Sequence, residues 1–323
     1  MSDGTTDLEF TDLTVTAVTP LASGIVGFEL RDPAGAELVP FAPGAHIPVR
    51  TPGGAVRRYS LCNAPHENDR YEIAVKRDAA GRGGSVSMAD RLRVGDRLPV
   101  AAPRNEFALN PRAKRFLFIA GGIGITPIVA MLRHLVATEG PPFRLHYCTR
   151  SRADTAFADT LAAPEFAAHI DLHHDGGDPA RAFDFWPLLE KPVPGMHVYC
   201  CGPRALMDAV RDMSGHWASG TVHFESFGVD AALRRNDRPF TVRLARSGTT
   251  VDVAADQSIL EALRARGVAV RSSCEAGSCG SCRTPLLSGE AEHRDFVLSE
   301  AEHATQVMVC VSRARGAELV LDL

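Results

Sequence analysis

The most informative stretch of the chain is Cys274-Glu275-Ala276-Gly277-Ser278-Cys279-Gly280-Ser281-Cys282. Its three cysteines are spaced C-x4-C-x2-C, and Cys310 follows after 27 further residues. This spacing is typical of plant-type [2Fe–2S] centres, in which four thiolates hold two irons. Gly277 and Gly280 let the loop bend tightly because glycine has no Cβ. The predicted metal ligands are therefore Cys274, Cys279, Cys282 and Cys310.

A structural zinc site is the alternative for these cysteines. Zinc sites usually pair one C-x2-C with a second C-x2-C or with an H-x3-H, whereas here a single cysteine completes the set. An Fe–S centre passes one electron at a time, so the rest of the chain has to indicate where the electrons come from. The other cysteines are expected to be small buried hydrophobic residues: Cys62, Cys148, Cys200 and Cys201.

The composition limits the class of protein. A length of 323 residues predicts two or three domains, and 45% hydrophobic with 23% charged residues indicates a globular protein. The net charge of −4, without a basic run, argues against nucleic-acid binding. No signal peptide is recognised at the start, and no apolar run approaches the roughly 18 residues that span a bilayer. We expect a cytoplasmic protein with no membrane or nucleic-acid partner.

Residues from about 8 to 108 have a β pattern. Hydrophobic and polar residues alternate over 13–18 and 24–30, and further strands are predicted at 57–61, 71–75 and 97–100. Clusters of Pro and Gly separate these segments. Many short strands with such turns predict an antiparallel β-barrel, which we assign to residues 1–110.

From residue 115 the pattern changes to alternating strands and helices. An apolar run at 116–120 leads into Gly121-Gly122-Ile123-Gly124-Ile125-Thr126-Pro127 and then into a helical pattern. Further strands are predicted at 144–148, 170–173, 197–200 and 222–224, with a helical stretch before the second and third of these and a helix at 205–214. Residues 111–228 are therefore predicted to form an α/β domain with a parallel sheet.

Two glycine-bearing loops follow predicted strands of this sheet. One contains Gly121, Gly122 and Gly124, and the other is Cys201-Gly202-Pro203. Glycines allow close approach of a phosphate, and the helix N-terminus that follows attracts negative charge. Loops at strand C-termini line the crevice where such sheets bind ligands. A tight structural turn is the alternative for the first loop taken alone.

The C-terminal part begins after a charged linker. Residues 229–238 include Arg234, Arg235, Asn236 and Asp237 and are interpreted as an interdomain linker. In residues 239–323 a hairpin is predicted from 240–245 and 250–253. A short amphipathic helix is predicted over 258–266, with Ser258 as its N-cap. The cysteine loop follows directly, and this last domain is too small and too mixed to continue the parallel sheet.

Polar residues in the barrel form two candidate ligand sites. Arg57 and Ser60 at a strand end could hold a phosphate, and Tyr59 could stack on a planar ring. A strand with a surface arginine is the alternative. Gly83-Gly84-Ser85 precedes a helical pattern at 85–92 and forms a second phosphate-like cradle. Here the alternative is a glycine-rich hairpin tip with Ser85 as N-cap.

Other polar residues carry weaker signals. His173 and His174 are adjacent on a strand, so they point to opposite faces and are interpreted as structural or exposed. Glu225 and Phe227 follow the last strand of the α/β domain. They either contact a ligand at the carboxyl edge of the sheet or begin the linker.

Four motifs occur along the chain in this order: R-x-Y-S at residues 57–60, GGIGITP at 121–127, CGP at 201–203 and C-x4-C-x2-C…C in the C-terminal part. This combination resembles the phthalate dioxygenase reductase family, which includes the vanillate O-demethylase reductases. The resemblance covers nearly the whole chain. It implies a multidomain protein with an antiparallel β-barrel flavin domain, an α/β parallel-sheet nucleotide domain and an α+β β-grasp ferredoxin domain.

The resemblance also implies cofactors and site residues. Relatives that hold FAD carry an extra adenine-binding segment, for which we see no room between Ser85 and Asn105, so FMN is favoured. The implied FMN-binding residues are Arg57, Tyr59, Ser60, Ala74, Val75, Gly83, Gly84, Ser85, Thr126 and Phe227. The candidate NADH-binding residues are Gly121, Gly122, Gly124, Thr149, Arg150, Ser151, Cys201, Gly202 and Pro203.

The choice of pyridine nucleotide stays open at the sequence level. Arg150, Ser151 and Arg152 follow the strand that ends at Thr149, where the adenosine ribose is expected. Two arginines and a serine could accept the 2′-phosphate of NADPH. The resemblance implies NADH.

Electron counting connects these sites. NADH gives two electrons as a hydride, and a flavin can pass them singly to a cluster. Thr126 and Glu225 are expected at most to position the nicotinamide, since the cofactors carry the chemistry. The implied partner is a terminal oxygenase component of the Rieske type, with a cytochrome P450 as the alternative acceptor. A non-catalytic [2Fe–2S] redox sensor would need an output module, which we do not find, and a monomer is expected.

Overall fold

Residues 8–81, 83–228 and 236–323 are described in a computed structural model of the chain. They divide between a larger unit, Glu9–Phe224, and a smaller unit that comprises Leu8 and Glu225–Leu323. The predicted domain boundaries stay predictions, and Arg234 and Arg235 of the predicted linker lie outside the described residues. Within the described ranges, no helix is long and apolar enough to cross a membrane.

The first sheet of the larger unit is antiparallel and closed. Its strands are β1 (Phe10–Ala22), β2 (Ile25–Arg31), β3 (His46–Arg50), β4 (Val56–Ser60), β5 (Tyr71–Lys76) and β6 (Arg97–Ala101). They are ordered β4-β3-β6-β1-β2-β5, and a bridge between Leu61 and Ile73 joins the two outer strands. The helix α1 (Gly84–Arg91) follows β5. The predicted barrel is confirmed.

Alternation along the strands builds the barrel core. Leu13 and Val15 on β1, and Phe28 and Leu30 on β2, point inward and are buried, while their neighbours face outward. The sequence analysis did not predict β3. Pro48 interrupts its apolar run, and proline is usually excluded from central strands.

The second sheet of the larger unit belongs to the α/β part. Its strands are β7 (Arg115–Gly121), β8 (Phe143–Thr149), β9 (Ile170–His174), β10 (Met196–Cys201) and β11 (Val222–Glu225), in the order β11-β10-β7-β8-β9. The β10–β7, β7–β8 and β8–β9 pairs are parallel, as predicted. Because the order reverses between β7 and β10, the loops after these strands flank a topological switch point.

The helix predicted at 205–214 is confirmed with its bounds moved by one residue, whereas other helices of this part are shorter than the sequence indicated. The helices of this part are α2 (Ile125–Ala137), α3 (Ala158–Leu161), α4 (Pro164–Ala167), α5 (Trp186–Leu189) and α6 (Arg204–Met213). The helical stretches predicted before β9 and β10 are only single turns. Pro164 separates α3 from α4 and Pro192 follows α5, and proline cannot continue a helix.

The smaller unit has a mixed sheet with helices beside it. Its strands are β12 (Phe240–Leu244), β13 (Thr250–Val253), β14 (Arg283–Ser288), β15 (Ala291–Glu292), β16 (Gln306–Met308), β17 (Arg313–Ala314) and β18 (Glu318–Leu321). Five of them are ordered β13-β12-β18-β14-β16, and β15 pairs with β17. β12 pairs antiparallel with β13 and parallel with β18. The predicted hairpin and the α+β class are confirmed.

Among the described residues of the smaller unit, the helices are α7 (Ile259–Ala265) and α8 (Glu300–His303). Ser258 caps α7 as predicted. Its Oγ accepts a hydrogen bond from the N–H of Glu261 at 3.1 Å, and the Glu261 carboxylate accepts one from the N–H of Ser258 at 2.8 Å. This capping box fixes the helix start ahead of the cysteine loop.

Candidate cofactor sites

The four predicted ligand cysteines meet in the smaller unit. Their thiols form two hydrogen-bonded pairs, Cys274 with Cys279 and Cys282 with Cys310, and the pairs lie close enough for charge on Cys279 to act on Cys282. Among the described residues, no three His, Cys, Asp or Glu side chains are arranged around one metal ion. Two thiols for each of two irons is the arrangement of a [2Fe–2S] centre, so the pairing favours this cluster over zinc.

Backbone N–H groups of the loop point at these sulfurs. Those of Ala276 and Ser278 lie 3.4 Å from the Sγ of Cys274, and that of Cys274 lies 3.4 Å from the Sγ of Cys279. The hydrogen bond between the two thiols lowers the pKa of Cys279 and raises that of Cys274, so Cys279 is the thiol of this pair that loses its proton first. Hydrogen bonds to sulfur also tune the potential of a bound cluster.

Cys310 reaches the loop through strand pairing. β14 and β16 pair with Arg283 opposite Met308, so Cys282 before β14 and Cys310 after β16 lie at the same end of the sheet. Behind the loop, Gly277 has a φ of +76°, and a Cβ there would stand 2.9 Å from the Val311 side chain. The tight bend inferred from this glycine is confirmed.

The phosphate-like cradle of the barrel is built jointly by β4 and α1. A Cβ on Gly84 would stand 2.8 Å from the Nε of Arg57, so the guanidinium lies beside the start of the helix. Gly83 precedes α1 with a φ of 79°, and none of the described side chains caps the helix. Its first N–H groups can therefore bind an anion together with Arg57.

Ser85 does not cap α1, which corrects the alternative interpretation of this residue. Its Oγ accepts a hydrogen bond from the N–H of Asp78 at 3.1 Å and so closes the turn before the helix. Ser87 was not predicted, although it supports the same cradle. Its Oγ donates to the Gly84 carbonyl at 2.8 Å and accepts from the Gly53 N–H at 3.2 Å.

Tyr59 and Ser60 place two buried hydroxyl groups at the end of β4. Neither oxygen has a hydrogen-bond partner among the described residues. Burial raises the pKa of Tyr59 to about 12, so the phenol keeps its proton and can donate it. A buried polar group without a partner costs about 1–3 kcal/mol, which a ligand with polar ring edges would offset. These residues therefore fit a flavin.

β5 brings the barrel to the nucleotide loop. Ala74 and Val75 are buried, β5 lies against the Gly122–Gly124 turn, and Ala74 shares a hydrophobic core with Ile125 of α2. Thr126 is also buried, and its hydroxyl donates to the carbonyl of Ile123 at 3.0 Å. The Thr126 hydroxyl has thus used its hydrogen, and it can only accept a hydrogen bond from a ligand.

The two glycine loops of the α/β part touch each other. They comprise Gly121, Gly122 and Gly124 on one side and Cys201, Gly202 and Pro203 on the other. A Cβ on Gly121 would stand 2.5 Å from the Pro203 ring, and one on Gly202 would stand 2.9 Å from the Cα of Gly121. α2 and α6 both begin here without a side-chain cap, so their N–H groups and positive ends favour an anionic ligand.

Thr149 ends β8, and Arg150 and Ser151 follow it at the same edge of the sheet. Thr149 is buried, and its hydroxyl lies 2.9 Å from both Thr155 Oγ1 and His174 Nδ1, so it is committed to the turn. Arg150 is exposed. Ser151 donates to the carboxylate of Asp154 at 2.6 Å.

Asp154 was missed by the sequence analysis. The only signal was an acidic residue three positions after Ser151. Asp154 lies in the turn after β8, where the sequence analysis expects the adenosine ribose.

The remaining candidates are placed as follows. The Nε2 of His173 lies 3.0 Å from the Nδ1 of His146 with the rings stacked, which agrees with the structural interpretation of His173. Glu225 ends β11 and is buried, whereas Phe227 is 52% exposed. Their contacts with a ligand stay predictions.

Two sequence families match parts of the chain. Residues 12–109 match the oxidoreductase FAD-binding domain, and residues 242–315 match the 2Fe-2S iron-sulfur cluster binding domain. The first range contains the barrel cradle and the second contains all four cluster cysteines.

Whole-length relatives extend this similarity. The phthalate 4,5-dioxygenase oxygenase reductase subunit of Pseudomonas putida is 58% identical over 314 residues, which cover 97% of each chain. A solved structure of phthalate dioxygenase reductase, described as modular for electron transfer from pyridine nucleotides to [2Fe-2S], is 55% identical with a TM-score of 0.77 and full coverage of both chains. An intact type IV self-sufficient cytochrome P450 monooxygenase is 40% identical with a TM-score of 0.70, over 97% of this chain and 41% of its own.

Proposed function

This chain belongs to the phthalate dioxygenase reductase family, and on that basis we propose that it supplies electrons to a Rieske-type terminal oxygenase, of an aromatic dioxygenase or an O-demethylase. It is an oxidoreductase, the reductase component of an oxygenase system, and it passes electrons from NADH through a flavin to a [2Fe–2S] centre. The observation that carries the proposal is the paired arrangement of the four cysteines on the same chain as the flavin cradle and the nucleotide crevice.

The residues of the chain bind and orient the cofactors. A bound flavin supplies the conversion of a two-electron hydride into single electrons, and the cluster supplies their exit. Arg57 and the start of α1 hold a phosphate group, while Tyr59 and Ser60 meet polar atoms of the ring. The glycine loops hold the dinucleotide, and the buried start of α2 excludes water from the place where nicotinamide and ring meet.

The flavin is FMN. Relatives that hold FAD carry an extra adenine-binding segment after the phosphate cradle, whereas here α1 is followed within a few residues by β6. Acid extraction of the purified protein and chromatography against FMN and FAD standards tests this. Release of FAD would contradict it.

The nucleotide is NADH, and we assign its recognition to Asp154. Its carboxylate accepts the Ser151 hydroxyl at 2.6 Å and stands where the ribose is expected. Asp154→Asn should raise kcat/KM for NADPH relative to NADH by roughly tenfold, because a repulsive charge is removed. Asp159→Asn, in the nearby helix α3, is the matched control and should leave the ratio unchanged.

Reconstitution with purified partner enzymes distinguishes between a Rieske oxygenase and a P450 as the electron acceptor. Ser281 is exposed beside Cys279, so a partner can approach the cluster. The similarity to a self-sufficient P450 favours a P450 as the second candidate acceptor. Purified protein, NADH and either a purified phthalate-type Rieske oxygenase or a P450 should give substrate-dependent oxygen uptake with the Rieske enzyme. Turnover with the P450 alone would reverse the assignment, and failure to reduce ferricyanide with NADH would remove the reductase function.

We further propose that the protein works as a monomer in the cytoplasm, without a membrane or nucleic-acid partner. The net charge of −4 supports the last of these statements. Light scattering of the purified protein tests the first, and a dimer mass would contradict it.

A further inference from the structure

Arg133 on α2 joins the α/β part of the larger unit to the barrel. Its Nη1 lies 2.8 Å from the carbonyl oxygen of Cys62 and 2.9 Å from the Oε2 of Glu72. Its side chain is 22% exposed. Hydrogen bonds that involve a charged group contribute more when they are partly shielded from water, so this contact is stronger than an exposed surface ion pair.

Both acceptors stand next to residues that line the flavin site. Cys62 follows Ser60 by two residues, and Glu72 precedes Ala74 by two residues on β5. Arg133 therefore binds the barrel beside β4 and β5.

Arg133 also shares a helix face with Thr126. The two residues are seven positions apart, which is two turns of an α-helix. Thr126 lies in the first turn of α2, directly after the nucleotide loop. One face of α2 thus carries two features. Thr126, at the start of the helix, lies beside the nucleotide site, and Arg133, two turns later, binds the barrel.

The attachment point on the barrel is itself fixed. Arg70 Nε donates to the other carboxylate oxygen of Glu72 at 2.8 Å, and the N–H of Cys62 donates to the Glu72 carbonyl at 2.8 Å. Asn63 is fully buried, and its Oδ1 accepts from the N–H of Glu72 at 3.0 Å. Arg133 therefore binds a part of the barrel that other hydrogen bonds already hold in place.

Apolar packing holds the two parts together without Arg133. Phe107 and Ala74 of the barrel side share one buried core with Ile125, Met131 and Tyr199 of the α/β part. This packing is non-directional, whereas the hydrogen bonds of Arg133 are directional. Loss of Arg133 should therefore change the angle of α2 against the barrel more than it changes folding.

We propose that Arg133 is a positioning residue for flavin reduction. It sets the distance between a nicotinamide held at the start of α2 and a flavin held by β4 and β5, and in this it rests on the proposed function. Hydride transfer needs reacting atoms about 3–3.5 Å apart, and a 1 Å misplacement can cost about a hundredfold in rate. Arg133 touches neither ligand and acts through the helix that it fastens.

The test is anaerobic stopped-flow reduction of the flavin by NADH. In Arg133→Met the limiting rate should fall by roughly tenfold to a hundredfold, while the Kd for NADH stays within about twofold and the flavin stays bound. The primary isotope effect with NADH deuterated at C4 should persist or increase, because the transfer itself has slowed. Arg133→Lys keeps the charge without the planar guanidinium group, so its limiting rate should lie between those of the wild type and Arg133→Met. In flavin-free protein, amide hydrogen exchange should quicken at 61–72 and in α2 of Arg133→Met.

Arg144→Met is the matched control. Arg144 also donates to a carboxylate, that of Asp171, and to a backbone carbonyl, that of Ala168, but both partners belong to the α/β part. An unchanged limiting rate in Arg133→Met, or an equal fall in Arg144→Met, would overturn the proposal. If Arg133→Met does not fold, an unchanged rate in Arg133→Lys overturns it. If the wild-type flavin is not reduced by NADH at all, the proposed function fails instead.

Discussion

Gly124 and Cys201 approach so closely that a Cβ on Gly124 would stand 2.1 Å from the carbonyl oxygen of Cys201. β7 and β10 are adjacent and parallel, so the loops that follow them meet at one edge of the sheet. The φ of Gly124 is −63°, which any residue can adopt. The neighbouring backbone, and not the conformation of Gly124, therefore requires glycine at this position.

Gly124→Ala should push these two loops apart. A backbone oxygen cannot move aside as a flexible side chain can, so we expect the free energy of unfolding of the larger unit to fall by about 1–3 kcal/mol. The Kd for NADH should rise, because both loops line the nucleotide crevice. Urea unfolding followed by tryptophan fluorescence and a titration with NADH measure the two effects. Gly215→Ala is the control, since the atoms nearest to its Cβ are 3.9 Å away; equal losses in both variants would contradict the explanation.

Cys279→Ser should remove the cluster and spare the first electron-transfer step. Cys279 has a thiol partner, Cys274, and a lowered pKa that suits a metal ligand. Serine oxygen is a poor ligand for an Fe–S cluster, whose irons are held by thiolates. We expect loss of the visible absorbance and the electron paramagnetic resonance of the cluster, with NADH still reducing the flavin. Cys148→Ala, outside the loop, should keep the cluster. Loss of flavin reduction in Cys279→Ser would contradict this separation of roles.

Local spacing explains what could be predicted from the sequence. The cysteine loop, the glycine loops and the Ser258 cap each depend on residues that are near one another in the chain. Arg133 could not be predicted in this way, because its acceptors are 71 and 61 residues away. The same holds for Arg57 and Gly84, which come together only when the barrel closes. Asp154 lies in a turn whose shape depends on the buried hydroxyl of Thr149.

Acid should destabilise the larger unit at mildly low pH. Burial lowers the pKa of His46, His146 and His223 to about 4, against about 6.5 in an unfolded chain. Between these values the unfolded chain binds more protons than the folded chain, so stability rises with pH. We therefore expect the free energy of unfolding to fall as the pH is lowered from about 6.5 towards 4, and these groups to have no effect above about 7.

Urea unfolding at several pH values checks this expectation. His146→Gln removes one of the three groups and should flatten the dependence below pH 6.5, while its offset from the wild type stays constant above pH 7. A free energy of unfolding that increases as the pH is lowered from 6.5 to 5 would contradict the assignment of these histidines as buried and neutral.

Asp237 is joined to Arg294 in the interior of the smaller unit. Their side chains are 4% and 6% exposed, and the Nη2 of Arg294 lies 2.6 Å from Asp237 Oδ1. The Nε of Arg313 lies 3.4 Å from the other carboxylate oxygen. Asp237 thus holds the end of the predicted linker against two buried arginines, in a cavity that Cys310 also lines.

Asp237→Asn should destabilise the smaller unit by about 1–3 kcal/mol, because the buried Arg294 and Arg313 lose the carboxylate that they share, while Arg294 keeps its pair with Glu292. Loss of the cluster absorbance in urea reports this unit, whereas both tryptophans, Trp186 and Trp217, lie in the larger one. We expect the absorbance transition to move to lower urea while the fluorescence transition stays in place. Asp322→Asn is the control: Asp322 pairs with Arg246, whose side chain is 69% exposed, and water screens such a pair. If the two variants moved the absorbance transition equally, the burial of the Asp237 pair would not be the cause.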